Sequence, residues 1–101
     1  MTRNKLNKIR RKIEELRDSS AKANDIQRLA KQLGRVKIKR GKEPTWVSAE
    51  FGDALRPLSI PDHGGRDFAP GTKHAILNHL EDDVNAWDEK LTQQEKESRG
   101  R

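Results

Sequence analysis

Two apolar stripes with helical spacing occupy the first third of the chain. Apolar residues recur there at steps of three and four, a period typical of amphipathic helices with one buried face. The buried positions would be Leu6, Ile9, Ile13 and Leu16 in the first stripe and Ile26, Leu29, Ala30 and Leu33 in the second. The sequence therefore predicts a helix over about 3–17 that Thr2 caps, and a second over about 24–33 that ends at Gly34.

The spacing of apolar residues changes from helical to alternating after Gly34. Val36 and Ile38 alternate with lysines, which predicts a strand with one basic face. A β-favouring run over 45–51 predicts a second strand, and the proline-flanked segment 58–60 predicts a third that is short or lies at a sheet edge. Because short turns join the three runs, we expect an antiparallel meander.

Helical spacing returns after a loop over 62–71 that is rich in glycine and proline. The apolar stripe of this third helix, which Thr72 would cap, is Ile76, Leu80, Val84, Trp87 and Leu91. The order α-α-β-β-β-α predicts a small two-layer α+β domain over residues 1–91, with helices on one face of a three-stranded antiparallel sheet and a polar, basic opposite face. Residues 92–101 are predicted to form a polar C-terminal tail. Trp87 is expected in the core, with a partner or dimer contact as the alternative.

Charge gives this pattern a functional direction. The chain is 38% charged and 31% hydrophobic, with a formal net charge of +6 and a pI near 9.9. Residues 1–43 hold 15 Lys/Arg and 5 Asp/Glu, whereas residues 44–101 hold 7 and 11. A basic half favours a polyanionic partner, RNA or DNA before an acidic protein. The absence of cysteine excludes disulfide frameworks and thiolate chemistry. Because no apolar run has the length of a membrane span, we expect a cytoplasmic protein without a membrane partner.

The basic face of the first strand is the main candidate for contact with phosphates. Arg35, Lys37 and Lys39 share one parity along the strand, and neighbouring basic residues extend the row through the turns. The candidate RNA-binding residues are Arg35, Lys37, Lys39, Arg40, Lys42, Arg66 and Lys73. A merely solvated strand face is the alternative. Aromatic residues make up only 4% of the chain, so recognition would depend on the RNA backbone and its shape rather than on base stacking.

Several motifs resemble those of HicA-type toxins. The run LSIPDHGG at 58–65 is similar to the strand end of that family, and PGTKHAIL at 70–77 is similar to the start of its last helix. Leu33-Gly34 matches a helix end of the family, and Arg40-Gly41 matches the opening of its second strand. Together the resemblance covers about residues 26–91.

The resemblance implies a double-stranded-RNA-binding-like fold and a role as the toxin of a type II toxin–antitoxin system. Such a toxin is an mRNA interferase, an endoribonuclease that binds and cleaves mRNA without a metal ion, and a HicB-like antitoxin silences it. In this family, cleavage is usually attributed to a histidine just after the strand-opening glycine, in a Gly-Ser-His motif. By counting from Gly41, Glu43 stands at that position here, so the usual histidine is replaced.

His63 is the first candidate for general acid–base catalysis in the remaining sequence. Metal-free RNA cleavage needs a group with a pKa near neutrality, and histidine is the usual choice. His63 lies in a glycine-flanked loop beside Asp62, which would orient the ring; simple RNA contact and bracing of the loop are the alternatives. Glu43 is the weaker candidate, because Lys42 and Arg40 would lower its pKa and make it a poor base.

The rest of the sequence offers little other chemistry. His74 and His79 fall on the third helix, where they are more readily explained as parts of a helix face than as catalytic groups. No three or four residues have the spacing of metal ligands, so we expect neither a metal nor a cofactor. Two other functions stay open, namely a catalytically silent RNA-binding module of the same fold and a basic adaptor for an acidic protein. The expected partners are mRNA and the antitoxin, and a homodimer is left open.

Overall fold

The chain folds into three helices and one three-stranded antiparallel sheet. The computed structural model describes residues 1–40, 43–61 and 67–99, and their side chains except those of Arg40, Glu43 and Arg99. In chain order the elements are α1 (Arg3–Asp18), α2 (Ala23–Gln32), β1 (Arg35–Arg40), β2 (Glu43–Ser48), a 3-10 turn (Gly52–Ala54), β3 (Leu58–Ser59) and α3 (Pro70–Arg99). This α+β class and the order of its elements agree with the prediction from periodicity.

The first two helices form where the apolar stripes predicted them. The hydroxyl of Thr2 accepts a hydrogen bond from the Lys5 backbone N–H at 3.1 Å and so caps α1. At the start of α2 the Asp25 carboxylate accepts from the Lys22 N–H at 3.2 Å. Gly34 ends α2 with a φ of +88°, a left-handed conformation that favours glycine. All eight residues of the two predicted stripes are buried.

The sheet is a meander in the order β1-β2-β3, as predicted. Its central strand, β2, pairs antiparallel with β1 over six residue pairs and with β3 over two. The third strand is a two-residue edge strand, because Pro57 and Pro61 on either side of it cannot donate to a ladder. The segment from Trp46 to Leu58 therefore reverses the direction of the chain between β2 and β3.

The two faces of the sheet are the reverse of the prediction. Residues that pair directly across an antiparallel ladder share a face, so Lys37, Trp46 and Leu58 all lie on the side that the helices cover. The opposite side carries Val36, Ile38, Thr45, Val47 and Ser59, and Val36 is 50% exposed. The predicted polar and basic outer face is therefore wrong. Trp46 decides the parity, because burying this large side chain brings the positions paired with it to the same side.

The third helix is longer than predicted at both ends. It begins at Pro70 rather than Thr72, and it continues to Arg99, so the predicted polar tail from residue 92 is wrong. At the usual rise of about 1.5 Å per residue it is about 45 Å long. Residues 92–99 contain neither glycine nor proline, and Arg3 of α1 holds the last turns through Thr92 and Glu95.

The core lies between the sheet and the three helices. Its fully buried residues include Leu6 of α1, Ile26 of α2, Ile60 after β3 and Leu80 of α3. Trp87 packs against this core, as expected, and its Nε1 donates to the Leu33 carbonyl at 2.8 Å. The ring of Phe51 meets Trp87 edge to face, with ring centroids 5.0 Å apart. One contiguous core therefore joins both ends of the chain.

Candidate nucleic-acid interface

Arg35, predicted to bind RNA, is instead a buried structural residue. It is 3% exposed, and its Nε and Nη2 donate to the two carboxylate oxygens of Asp83 at 2.6 and 2.8 Å. Its Nη1 donates to the carbonyls of Trp46 and Arg56 at 2.8 and 3.1 Å. The guanidinium is thus directed inward to α3, β2 and the segment before β3. The prediction for Arg35 is wrong, because its charge is matched by a carboxylate 48 positions away along the chain.

The buried pair shifts the titration of its acidic partner. Burial raises the pKa of the Asp83 carboxyl above its ordinary value, and the hydrogen bonds from Arg35 oppose that shift. The neighbouring carboxylate of Asp82 adds a smaller upward push on this pKa. Asp83 is fully buried, so the pair lies between the sheet and α3 as a cross-link.

Lys73, the second buried member of the predicted RNA-binding set, caps the end of α1. It is 8% exposed, and its ammonium donates to the carbonyls of Arg17 and Ser19 at 3.1 and 2.8 Å. A cation at a helix C-terminus satisfies orphan carbonyls and complements the helix dipole. The prediction that Lys73 contacts RNA is therefore also wrong.

Lys37 and Lys39 remain exposed on β1, as an RNA contact requires. The backbones of Arg40 and Glu43 are directly paired at the end of the β1–β2 ladder, but their side chains lie outside the described part of the structure. The same holds for the whole of Lys42, His63 and Arg66. The catalytic predictions for His63 and Glu43, and the RNA-binding predictions for the three other residues, therefore stay predictions.

The charges of α1 are divided between its two flanks. Arg3, Arg10 and Arg17, seven residues apart, all point toward α3. Their ion pairs are Arg3 with Asp88 and with Glu95 (3.2 Å), Arg10 with Asp88 (3.3 Å) and Arg17 with Glu81 (2.5 Å). The hydrogen bond from Arg3 lowers the pKa of Asp88 below its ordinary value. The acidic part of α3 thus faces basic α1.

The other flank of α1 and the exposed sides of α2 and β1 carry basic residues that do not pair with the carboxylates of α3. A groove of about 270 Å³ between α1 and α2 is lined by Lys8, Lys12 and Arg28, with one carboxylate, Asp25, beside them. A second groove, of about 380 Å³, lies on the other flank of α2 and is lined by Lys31 and Lys37, among others. We define the basic surface as Lys8, Lys12, Arg28, Lys31, Lys37 and Lys39.

Within the described residues, the basic surface has one ion pair, between Lys12 and the exposed Glu15 at 3.6 Å. Its cations are therefore largely uncompensated, in contrast to the arginines that face α3. The sequence predicted a basic strand face and a basic first half of the chain, but it did not indicate the contribution of α2. The signal was present, since Arg28 and Lys31 are three residues apart on the second helix and both lie outside its apolar stripe.

A further polar cavity lies beside the buried pair, between α3 and the segment before β3. It measures about 360 Å³, and its polar lining residues are Arg35, Arg56, His79, Asp82 and Asp83. His79 is half-buried there. Two carboxylates line this cavity, so it is less suited to a phosphate than the basic surface is.

The described ranges contain no group of three or more His, Asp or Glu side chains arranged to hold a metal ion. No helix in the same ranges combines the length and apolar content needed to cross a membrane. Comparison with models of protein families, with curated proteins and with solved structures finds no match to this chain. The evidence for the candidate interface is therefore the geometry of the basic surface alone.

Proposed function

We propose that this chain binds RNA through the basic surface, as a small α+β protein with a double-stranded-RNA-binding-like arrangement. The observation that carries the proposal is the division of charge about α1. Three carboxylates of α3, Glu81, Asp88 and Glu95, are occupied by arginines of α1, while the lysines and Arg28 on the far side lack comparable partners. On the α3 side of α1 the basic residues are thus neutralised by carboxylates of the same chain, whereas the other side presents a positive field to a polyanion.

Contacts to phosphates rather than stacked bases fit the aromatic side chains. Trp46 is 2% exposed and Trp87 packs against the core, so neither indole face is free to stack on a base. Lysines and an arginine along the two grooves that flank α2 match the repeated phosphates of a nucleic-acid backbone. Recognition would therefore depend on the shape of the RNA and would weaken steeply with salt.

Binding of a labelled RNA duplex over a series of salt concentrations tests this proposal. We expect the logarithm of affinity to fall linearly with the logarithm of salt concentration, and Lys8→Gln or Arg28→Gln to lower that slope by about one each. Lys96→Gln, which removes the same charge from an exposed position on α3, is the matched control. Wild-type protein that fails to bind RNA at low salt, or variants no weaker than the control, would overturn the proposal.

A second candidate function is cleavage of the bound RNA. The observation that favours it is the anchoring of the chain directly after the segment that contains His63. Asp67 forms an antiparallel bridge with Lys22 at the start of α2, and the Phe68 N–H donates to the Ala21 carbonyl at 2.9 Å. The chain therefore leaves this segment beside the helix that carries Arg28 and Lys31. We propose that His63 is the general acid–base group of a metal-independent endoribonuclease, the toxin that a HicB-like antitoxin silences by covering Lys37 and Lys39.

A further inference from the structure

Strand β1 forms one edge of the sheet, because the strand order β1-β2-β3 gives it a neighbour on a single side. The direction of its backbone groups follows from the Gly34 carbonyl, which accepts from the Ala49 N–H just after β2 at 3.1 Å. In a trans peptide the next N–H points the opposite way, and successive residues of an antiparallel strand then alternate between its two sides. Every second residue of β1, Lys37 and Lys39 among them, therefore directs its N–H and C=O away from β2.

The outward backbone groups of Lys37 and Lys39 have no protein partner in the described part of the chain. No hydrogen bond given by the described turns, caps and side chains uses the N–H or C=O of either residue. The side chains of both residues are exposed. A groove of about 380 Å³, lined by Val36 and Lys37 of the strand and by Gln27 of α2, lies beside this edge. The edge thus offers donors and acceptors at strand spacing, which is a template for another strand.

The two sides of β1 present different chemistry to such a strand. Lys37 and Lys39 share one side, and neither forms an ion pair with a described acidic residue. Val36, which is 50% exposed, and the half-buried Ile38 lie on the other side. Opposite charges that face each other across two strands stabilise the pairing, and like charges destabilise it. A complementary strand therefore alternates acidic residues opposite the lysines with apolar residues on the side of Val36.

A second copy of the chain and a nucleic acid match this edge less well. Antiparallel pairing of β1 with β1 of another copy would place Lys37 and Lys39 opposite basic residues, a repulsion that protects natural edge strands from self-association. Phosphates supply acceptor oxygens, so they match the lysine ammonium groups but leave the outward carbonyls without donors. An extended peptide supplies N–H donors and C=O acceptors together.

We propose that the free edge of β1 accepts an extended acidic segment of a partner protein as a fourth strand of the sheet. Backbone hydrogen bonds to Lys37 and Lys39 hold the segment, and the side chains of the two lysines select its acidic residues. Because both lysines belong to the basic surface, the added strand also displaces RNA from this part of it. Only that displacement rests on the proposed RNA binding, and the strand pairing does not.

Amide hydrogen exchange of the full 15N-labelled chain, followed by nuclear magnetic resonance, tests the edge residue by residue. The probe is a synthetic peptide of the length of β1, six residues, in which glutamate alternates with valine. Without peptide, the amides of Lys37 and Lys39 should exchange faster than those of Val36 and Ile38, which bond to β2. Peptide at about ten times its Kd should slow exchange at the two lysines about tenfold and change it less at Val36 and Ile38.

Matched controls separate strand addition from simple attraction of charge. N-methylation of either the glutamates or the valines removes the N–H donors from one edge of the peptide. Since only one edge of a strand faces β1, we expect one methylated peptide to bind and the other to fail. Lys37→Glu combined with Lys39→Glu should weaken binding of the acidic peptide about tenfold or more and favour a peptide with lysine in place of glutamate. Lys96→Glu, a charge reversal at an exposed position on α3, should do neither.

The outcomes distinguish the strand site from the proposed function. Unchanged exchange at Lys37 and Lys39, or equal binding of the two methylated peptides, overturns the strand pairing even where an RNA duplex binds. Protection of these amides that rises with protein concentration in the absence of peptide assigns the edge to a second copy and also overturns it. Peptide pairing in a protein that does not bind the RNA duplex supports the strand site and overturns the proposed function. Bound peptide that leaves the affinity for the duplex unchanged overturns the displacement.

Discussion

Replacing Asp83 by asparagine tests whether the buried pair stabilises the fold. Asp83 accepts from Nε and Nη2 of Arg35 at 2.6 and 2.8 Å, and both side chains are 1% exposed. An asparagine of nearly the same volume keeps one acceptor oxygen but turns an amide N–H₂ toward the guanidinium. Asp83→Asn therefore removes one charge-assisted hydrogen bond, opposes two donors and leaves the Arg35 charge buried without a counter-ion.

The expected cost follows from those losses. Removing one partner of a buried ion pair typically costs about 3–5 kcal/mol, because the remaining charge stays uncompensated. We expect about 3 kcal/mol here, at the lower end of that range, since Arg35 retains its hydrogen bonds to the carbonyls of Trp46 and Arg56. A domain of this size is stable by only about 5–15 kcal/mol. The loss should lower the melting temperature by about 12 °C or more.

Urea unfolding followed by tryptophan fluorescence measures this loss, with Asp82→Asn as the matched control. Asp82 is the adjacent acidic residue, exposed on α3, and its replacement should change the free energy of unfolding by less than about 0.5 kcal/mol. The pair Arg35→Met with Asp83→Leu should recover most of the loss, to within about 1 kcal/mol of wild type, because no charge is left buried. A loss for Asp83→Asn no larger than that of the control would refute the structural role of the pair.

Three further predictions concern α1, its contact with α3, and catalysis. Because Arg3 lowers the pKa of Asp88, the ionised carboxylate stabilises the fold above its unfolded-state pKa of about 3.9, and this contribution is lost as pH falls through the lower folded-state value. The difference in unfolding free energy between wild type and Asp88→Asn should thus be constant near neutral pH and shrink in acid; a difference that grows in acid would contradict the assignment. Thr2→Ala should lower the free energy of unfolding by about 1 kcal/mol, as loss of a helix cap does. An unchanged melting temperature would show that the cap does not stabilise the fold. His63→Ala should reduce RNA cleavage about 10²–10⁴-fold at nearly unchanged RNA affinity, and cleavage by wild type should persist in EDTA; full activity of His63→Ala would place catalysis elsewhere.

The secondary structure was predictable because its causes are local. The steps of three and four that place Ile9 and Ile26 in the core, the left-handed glycine after Leu33 and the prolines around β3 all act within a few residues. The orientation of the sheet was not predictable in the same way. Alternation on β1 shows that its two faces differ, but it does not show which face is buried. Lys37 pairs with Trp46 of the neighbouring strand, and the burial of Trp46 places both residues on the side of the core.

The sequence predicted correctly whether a basic side chain of the candidate site is exposed only where that side chain has no distant partner. Lys37 and Lys39 are exposed as expected, because nothing in the described residues neutralises them. Arg35 and Lys73 resemble surface cations in sequence, yet one meets a carboxylate 48 positions away and the other meets helix carbonyls 54 and 56 positions away. Such partners become neighbours only through the packing of α3 against α1 and the sheet, which local patterns do not encode.

The choice between arginine and lysine in the first helix follows the same division. Three of the four arginines of α1, Arg3, Arg10 and Arg17, face α3, where a planar guanidinium can contact two acceptors at once, as Arg3 does with Asp88 and Glu95. The opposite flank carries Lys8 and Lys12, whose hydrated ammonium groups suit an exposed surface. The charge imbalance between the two halves of the chain therefore has two causes. Part of it binds the halves to each other through α1 and α3, and only the remainder, on α1, α2 and β1, is available to hold a polyanion.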